Sequence, residues 1–514
     1  LLVVFSAILF IRNRAYMLGF LSRRWTYVVL VELLAVGLFL LMIAIRLGNP
    51  DVWDVIWGGE KPMDLSYFTA VMRSTTFPPY DPWHAGGYIN YYYYGFVFLG
   101  ALPKLLGIVP AVAYNLALPT LFSMTGLGVF GIAWSLVTAN AEPAGATADG
   151  APADVQPVGS VRSLVAEMRS RAAVAGFVAV ALALLLGNLA QVTVITNAWH
   201  NSGSESLEAL PLIGGVARTL DGGLKLLGGK PAPMYPGDWF WIASRAINAD
   251  PGEVQPITEF PYFTFLYGDL HAHMIAMPLQ MLALGWAAGV VLLAKDTRYE
   301  IRNTKKGRTS LVSRISYLVI FFVGSLAIGA LRPTNTWDWP TYLLLGSLAV
   351  AYYALHTGGY TWRSAGRAAL AVLALAGLSS LLFLPFTANY GSAYSSVSLL
   401  KGSYTHPWNY LLVHGLFLFF VITHLAIEFR DWTTSWTEAG KARLEPYGWL
   451  IMLGMAAFVG ALALLLLRGY RVGPIALPLL VVAGLLALRP GLPEARRIVL
   501  ALMSGMQGRS WALA

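Results

Sequence analysis

The chain has 514 residues, of which 57% are hydrophobic and only 12% charged, and its mean hydropathy is +0.61. A soluble domain carries about 25% charged residues, so this composition excludes a soluble globular protein and indicates a helical membrane protein with several spans. The net charge of +9 lies in short basic loops between apolar stretches, which argues against a nucleic-acid partner, and the lack of cysteine excludes disulfides and thiolate metal sites.

Apolar stretches of the length that crosses about 30 Å of hydrocarbon recur along the chain. We predict an all-α fold with about 12 or 13 transmembrane helices. The expected spans are 1–11, 26–48, 91–108, 112–138, 172–196, 274–295, 315–331, 340–356, 368–386, 408–428, 447–467, 473–489 and 495–508. The first of these begins without a methionine inside an apolar run, so we expect a truncated N-terminus.

The spans and the polar stretches between them predict four parts. Residues 1–138 form the first membrane helices, and their loop 49–90 contains several acids. Residues 139–171 form a flexible linker, because 139–160 is rich in Ala, Pro, Gly and Asp. Residues 172–430 form a central membrane module, and residues 431–514 form the C-terminal membrane helices.

Basic residues predict the orientation, because Lys and Arg accumulate in cytoplasmic loops. The segment 295–314 is strongly basic, and the first loop contains Arg12, Arg14, Arg23 and Arg24. Alternating from these anchors places a helical and loop cap on the outer face of the plasma membrane, formed by residues 49–90, 197–272, 332–339 and 387–407. The alternation holds only if one stretch of 91–138 is re-entrant or is broken at Pro103, Pro110 or Pro119.

The first of these loops combines acids and bases around a short predicted helix, "PMDLSYFTAVMR". Asp64 lies at the start of this helix. A carboxylate there could have a capping role alone, in which it accepts hydrogen bonds from backbone N–H groups. Further charged residues nearby are Glu60, Lys61 and Arg73. In the following "FPPYDPW", Asp81 and Trp83 are binding candidates, although Asp81 also suits a simple turn.

A second polar stretch, "YGDLHAHM", directly precedes an apolar span. Ionisable groups at this depth are costly to bury and are usually functional. On an extended segment Asp269, His271 and His273 could bind a divalent metal such as Mg²⁺ or Mn²⁺. On a helix the two rings diverge by about 200° and contact different groups, such as phosphate. Both histidines could also be interfacial residues satisfied by the backbone.

Two further stretches contain candidate ligand-binding residues. In "LRPTNTWDWPTY", Arg332 could bind phosphate or pair with Asp338, and Asn335 lies between them. The loop 384–410 is rich in Tyr, Ser and Asn, which suits contacts with sugars. Arg245 and Glu259 are candidates in the long loop 197–272.

Several motifs together resemble one known family. They are "GGEKPMD", "FPPYDPW", "INYYYYG", "EFPYFTFLYGDLHAHM" and "RPTNTWDWP", in that order between about residue 26 and residue 420. The chain resembles the YYY family of archaeal and green non-sulfur bacterial membrane proteins. That family in turn is similar to the GT-C glycosyltransferases, which take a sugar from a polyprenyl-phosphate donor at the outer membrane face.

The wider resemblance implies roles for individual acids. GT-C enzymes have an acid in the first outer loop, followed by a short helix and a D-x-W element, and here Asp64 and "YDPW" follow that order. The chain departs from the common acidic pair, since Met63 precedes Asp64 and Glu60 lies four residues upstream. Asp269 takes the position of a second acid before a later span.

The resemblance therefore implies an inverting transfer of sugar to an unknown acceptor. Asp64, or Glu60 instead, would act as general base while a lipid phosphate leaves. Charge on that phosphate would be balanced by a metal or by cations, namely Lys61, Arg73, Arg245 and Arg332. Among Tyr91 to Tyr94, which start the next span, we expect Tyr91 and Tyr92 to face the site.

Two other functions are compatible with the sequence. A transporter or channel would place polar residues deep inside several spans, whereas here the polar residues collect near span ends. A non-catalytic scaffold would pack against partner membrane proteins and would seal the acids in its interior. A cavity that joins Asp64 and Asp269 favours the enzyme, and acids sealed by packing favour the scaffold.

Overall fold

The computed structural model describes most of the chain. The described residues are 2–48, 59–140, 161–233, 237–249, 252, 254–303, 311–359, 361–391, 399, 401, 405–434 and 448–470. Most of the predicted linker, residues 141–160, and the two expected spans after residue 470 lie outside them.

Helices make up nearly all regular structure in these residues. In chain order they are α1 Leu2–Arg23, α2 Trp25–Gly48, α3 Lys61–Arg73, α4 Tyr94–Leu105, α5 Pro110–Asn140, α6 Val161–Met168, α7 Arg171–Val180, α8 Ala190–Ser202, α9 Gly214–Leu227, α10 Asp238–Trp241, α11 Pro261–Tyr267, α12 Ala272–Asn303, α13 Leu311–Thr334, α14 Asp338–Gly358, α15 Trp362–Leu381, α16 Leu384–Asn389, α17 Pro407–Thr434 and α18 Gly448–Leu467. The described part of the chain contains isolated β-bridges but no strand.

Six described helices are long and apolar enough to cross a membrane. These candidate spans are Trp25–Gly48, Pro110–Ala139, Ala272–Lys295, Tyr317–Thr334, Trp362–Leu381 and Pro407–Glu428. The all-α fold with several membrane spans is thereby confirmed. The expected number of about 12 or 13 spans also counts segments outside the described residues, so it stays a prediction.

The stretch 91–108 is shorter as a helix than the apolar sequence suggested. Only Tyr94–Leu105 is helical, and its 12 residues rise about 18 Å, too little to cross a bilayer. The chain then turns through residues 106–109, and α5 begins at Pro110 and continues through Pro119. The break in this stretch therefore lies just before Pro110, and the orientation stays a prediction.

Two other expectations need correction. The predicted span 172–196 is not continuous, because α7 ends in a π-helical turn at Ala181–Leu185 and α8 begins only at Ala190. Arg12, Arg14 and Arg23 lie within α1 rather than in a loop, because the helix continues to Arg23.

The described chain divides into two compact units, one formed by residues within Leu1–Leu186, Thr264–Thr357 and Ala365–Gly391. In this first unit α5 packs against α2, α7 and α12, and α3 packs against α4 and α5. Large buried aromatic side chains fill the centre, among them Phe68, Phe96, Phe122 and Phe130. The N-terminal ends of α3 and α12 therefore belong to one packed body.

The second unit contains residues within Gly187–Phe263, Gly358–Ser364 and Ser392–Ala514. In it α8 and α9 pack closely, because Gly222 of α9 leaves room for the backbone of Trp199. The buried Asn188 amide donates hydrogen bonds to the carbonyls of Ala243 and Thr258, at 2.8 and 3.3 Å.

A glycine in α13 should be indispensable for packing in the first unit. A Cβ at Gly324 would lie 2.0 Å from the Trp286 indole, whose Nε1 donates to the Ile320 carbonyl at 2.8 Å. We expect Gly324→Ala to lower the Tm by several degrees, because overpacking costs about 1–3 kcal/mol.

Gly377→Ala is the matched control, because a Cβ there meets open space. Alanine in a helix is favoured over glycine by up to about 1 kcal/mol, so this variant should keep or raise the Tm. Thermal unfolding in detergent, followed by circular dichroism, measures both. Equal Tm changes would contradict the packing shown by the structure.

Candidate functional site

A buried cluster of charged residues forms where the start of α3 meets the segment before α12. On α3 the buried side chains are Lys61, Asp64, Phe68, Val71 and Met72. Spacings of three and four residues place them on one helical face. The first turn thus directs an ammonium group and a carboxyl group into the same interior that the later turns fill with apolar side chains.

The second segment is the short turn that connects α11 to α12. Gly268 lies in it with φ of +75°, a left-handed conformation that favours glycine. The next residue, Asp269, is buried, and the Leu270 N–H donates to the Tyr114 hydroxyl at 3.1 Å. The turn is therefore anchored to α5 and points Asp269 at α3.

Gly59 allows the two segments to approach closely. Its φ is +62°, and a Cβ would lie 2.5 Å from Asp269 Oδ2 and 2.6 Å from the Tyr267 ring. Any larger residue would push the start of α3 away from Asp269. The glycine that opens "GEKPMD" is thus required by contact as well as by backbone conformation.

An ion pair joins the two segments. Lys61 Nζ lies 3.0 Å from Asp269 Oδ1, and their side chains are only 4% and 11% exposed. The Glu60 N–H donates to Asp269 Oδ2 at 3.0 Å, and the Lys61 ammonium also lies over the Tyr267 ring at 4.4 Å. Burial raises the pKa of Asp269, and the interaction with Lys61 opposes that shift.

A chain of polar contacts leads from Glu60 through both histidines. His271 Nε2 lies 2.6 Å from Glu60 Oε2, and its Nδ1 lies 2.8 Å from Nδ1 of His273. His273 Nε2 in turn lies 3.4 Å from the Thr264 hydroxyl. The hydrogen bond between Glu60 and His271 lowers the pKa of Glu60 and raises that of His271.

Asp64 differs from the other acids of the cluster. It is fully buried, and neither of its carboxyl oxygens has a hydrogen-bond partner among the described residues. Burial, followed by the nearby charge of Asp269, raises its pKa to about 8. The alternative that Asp64 merely caps α3 is wrong, because neither of its carboxyl oxygens accepts from a backbone N–H in the described part of the chain.

The predicted metal ligands do not form a coordination set. No group of three His, Asp or Glu side chains within the described ranges is placed to hold a metal ion. Asp269 pairs with Lys61, and the two imidazoles contact one another. Helix α12 begins at Ala272, between the two histidines. The segment is therefore neither extended throughout, as a metal site would require, nor helical throughout, so both of these predicted conformations are wrong.

Comparison with known proteins identifies the family. The model of an uncharacterized membrane protein family, DUF2298, matches residues 1–507. The chain belongs to this family, the YYY family. No curated protein and no solved structure matches the chain.

The tyrosine run that gives the YYY family its name is mostly not helical in this chain. Tyr93 is the N-cap residue and α4 begins at Tyr94, so the expected span 91–108 is wrong for its first three residues. Tyr93 is the most buried and packs against Phe386, whereas Tyr91 packs against Tyr67.

Tyr91 is the tyrosine most closely coupled to the acids. Burial is the largest cause of the raised pKa of Tyr91, and the charges of Asp64 and then Glu60 raise this pKa further. The neighbouring Tyr92 packs between Tyr91 and Tyr390. The structure thus supports Tyr91 as a wall of the cluster and assigns Tyr92 an aromatic packing role.

Other candidates on the first loop of this YYY-family chain lie apart from the cluster. Arg73 is exposed in the last turn of α3, about 14 Å along the helix from Asp64. Asp81 Oδ1 accepts from the Trp83 N–H at 2.7 Å, as expected for a turn residue, and Asp81 also accepts from the hydroxyl of Tyr67, which packs against Tyr91. Trp83 is 66% exposed and donates through Nε1 to Ser66.

The third predicted stretch forms its own polar group. Asp338 Oδ2 accepts from Asn335 at 2.9 Å and from Gln280 at 2.6 Å. Gln280 lies seven residues beyond His273 on α12, a rise of about 10 Å. Arg332 does not pair with Asp338, and its guanidinium lies over the Trp339 ring at 5.0 Å.

The remaining two candidates lie in the second unit. Arg245 Nη1 is 3.9 Å from Glu259 Oε1, and its guanidinium stacks over the Trp241 ring at 4.6 Å. These contacts bring the two predicted residues together within that unit.

Three residues beside the cluster, Arg46, Tyr114 and Asn115, were not among the candidates predicted from the sequence. Arg46 of α2 is 9% exposed and donates through Nη2 to Asn115 Oδ1 at 3.1 Å, and Tyr114 of α5 contacts the turn before α12. An arginine inside the last turn of a long, mostly apolar span is a recognisable signal. It was obscured because cations at span ends are common anchors.

The raised pKa of Asp64 makes a pH-dependent stability test possible. Between about pH 4 and pH 8 the unfolded chain releases this proton while the folded chain retains it, so rising pH lowers wild-type stability. Asp64→Asn removes this contribution. The Tm of the variant minus that of wild type should therefore become more positive between pH 5 and pH 8. Thermal unfolding at both pH values measures it, and a constant difference would contradict the assignment.

Proposed function

We propose that this YYY-family membrane protein is a glycosyltransferase that moves a sugar from a polyprenyl-phosphate donor to an acceptor hydroxyl, with Asp64 as general base. The carrying observation is the buried carboxyl of Asp64, with its pKa raised to about 8, beside Lys61 and His271. The reaction class comes from the resemblance of the sequence motifs to those of GT-C enzymes.

Asp64 is favoured over Glu60 as the base because of their different surroundings. The Glu60 carboxylate is already paired with His271 and its pKa is lowered. Asp64 makes no hydrogen bond within the described residues, and its pKa lies close to neutral pH, which is optimal for a general base. Asp269 is paired with Lys61 and is better suited to position that cation.

The proposed step transfers one proton and exchanges one bond. The acceptor hydroxyl gives its proton to Asp64 while its oxygen bonds to the sugar C1. The bond from C1 to the phosphate oxygen breaks on the opposite face, and its electron pair stays on the leaving lipid phosphate. Inversion at C1 follows from this geometry. Lys61 and His271 are the cations of the cluster that can oppose the charge of the phosphate.

Two structural facts constrain this proposal. Asp64 is fully buried, so α3 or the adjacent tyrosine wall must move when the acceptor binds. Asp269, His271 and His273 do not form a metal-ligand set, so no step of the proposed reaction uses Mg²⁺ or Mn²⁺.

A non-catalytic scaffold is the second candidate, and the burial of Asp64 favours it. In that case the cluster would only hold α3 against α12, and partner membrane proteins would contact other surfaces. The two functions differ in what an Asp64 substitution does, because in a scaffold it can change only stability, whereas in the enzyme it also lowers transfer.

The catalytic test is Asp64→Asn in membrane vesicles supplied with a polyprenyl-phosphate sugar and candidate acceptors. We expect transfer to fall at least about 100-fold, since general bases contribute that much. For wild type, kcat/KM should rise with pH and level off above about pH 8, because only ionised Asp64 accepts the proton. Glu205→Gln, an exposed acid of the second unit, is the matched control. Unchanged transfer by a folded Asp64→Asn protein would refute the assignment.

A second test distinguishes a role of the Tyr91 hydroxyl in transfer from the aromatic packing of Tyr92. Tyr91→Phe should lower transfer about three- to tenfold with little change in Tm, because it removes a hydroxyl electrostatically coupled to Asp64. Tyr92→Phe should have the smaller effect, because its ring contacts remain. Transfer assays and thermal unfolding of both variants are required, and equal activity in all three proteins would refute a role for the Tyr91 hydroxyl.

A further inference from the structure

The first unit contains an apolar groove of about 640 Å³ between α2, α4, α5, α12 and α13. Among the described residues that line it, only Thr120 has a polar side chain, and its hydroxyl already donates to the Leu116 carbonyl. The groove therefore offers an occupant no free side-chain hydrogen-bond donor. Four of the five helices are candidate membrane spans, so the occupant that the groove suits is the hydrocarbon chain of a lipid.

The short α4 helps to create this groove. Its 12 residues end at Leu105, and its last turns contribute Leu102 and Pro103 to the lining. A helix of full spanning length would continue through the bilayer beside α5. The early turn instead leaves apolar side chains of α5, α12 and α13 uncovered.

Arg46 is a buried cation with unused hydrogen-bonding capacity. Its guanidinium is always charged and presents five N–H donors. It is 9% exposed, donates one hydrogen bond to Asn115 and leaves Nε without a partner among the described residues. A buried charge is costly unless it is paired, so this arrangement indicates an anionic ligand.

The described carboxylates nearby do not supply that anion. Asp269 makes an ion pair with Lys61 and accepts from a backbone N–H, and Glu60 pairs with His271. The structure contains no ion pair between Arg46 and any acid in the described part of the chain. Of the nearby acids, Asp269 acts on Arg46 only through its longer-range charge.

Arg46 and the groove lie on the same side of α2. Phe39 lines the groove, and Arg46 follows it by seven residues, which is almost two full turns and a rise of about 10 Å. Opposite Arg46 lies the backbone of Gly268, where a Cβ would be 2.9 Å from Nη1. A phosphate at the guanidinium and a chain in the groove therefore match the two ends of one lipid molecule.

We propose that Arg46 binds the phosphate of a membrane lipid whose chain occupies this groove. The identification of that lipid as the sugar donor rests on the proposed function, whereas the binding site does not. The phosphate group would accept the unused guanidinium donors in the charge-assisted geometry that arginine and phosphate share.

The test measures ligand binding to the full chain in detergent, through the increase in Tm that each ligand causes. The probes are farnesyl phosphate, farnesol and inorganic phosphate. We expect farnesyl phosphate to bind best and Arg46→Gln to weaken its binding at least about tenfold, with partial recovery in Arg46→Lys. Arg14→Gln, an exposed arginine of α1, should bind as wild type does.

The groove is tested separately by Leu282→Trp, which fills it from a 51% exposed position. Leu348→Trp is the control, at a 60% exposed leucine that does not line the groove. Only Leu282→Trp should weaken the binding of farnesyl phosphate. This test does not depend on the folding of Arg46 variants.

Three results would overturn the inference. They are farnesyl phosphate binding that does not depend on Arg46, inorganic phosphate binding as tightly as farnesyl phosphate, and insensitivity to Leu282→Trp. Arg46-dependent lipid binding in a protein that transfers no sugar would support the site and refute the proposed function.

Discussion

The buried ion pair between Lys61 and Asp269 determines the position of the whole charged cluster. It connects residues that are 208 positions apart in the chain, and both side chains are almost inaccessible to water. Removing one partner of such a pair leaves an uncompensated buried charge and costs about 3–5 kcal/mol. The pair therefore makes the approach of α3 to the α11–α12 turn nearly obligatory, and the other contacts follow from that approach.

The same pair also shapes the properties of Asp64. The Asp269 carboxylate lies near Asp64, so two negative charges would share a poorly solvated interior. Protonation of Asp64 relieves this repulsion. Lys61 and His271 oppose the shift, so Asp64 holds its proton without being permanently neutral. An acid with this balance suits proton transfer, and a merely structural acid does not require it.

The sequence predicted the long spans well because apolar length is a strong physical signal. It also predicted α3 and the acids at its start. It failed where the outcome depends on tertiary contacts. The start of α12 between His271 and His273 is set by the glycine turn and by Tyr114, which is far away in sequence. Arg46 was missed because its burial is created by packing against α5.

The contact between the two histidines has a consequence for proton tautomers. A hydrogen bond between Nδ1 of His271 and Nδ1 of His273 contains one proton, so one ring donates and the other accepts. If a neutral His273 donates, its Nε2 has a lone pair and the Thr264 hydroxyl must donate to it. If His273 accepts, its Nε2 carries hydrogen and Thr264 accepts. The position of the proton between the two imidazole rings, next to Glu60, therefore determines whether the Thr264 hydroxyl in α11 donates or accepts.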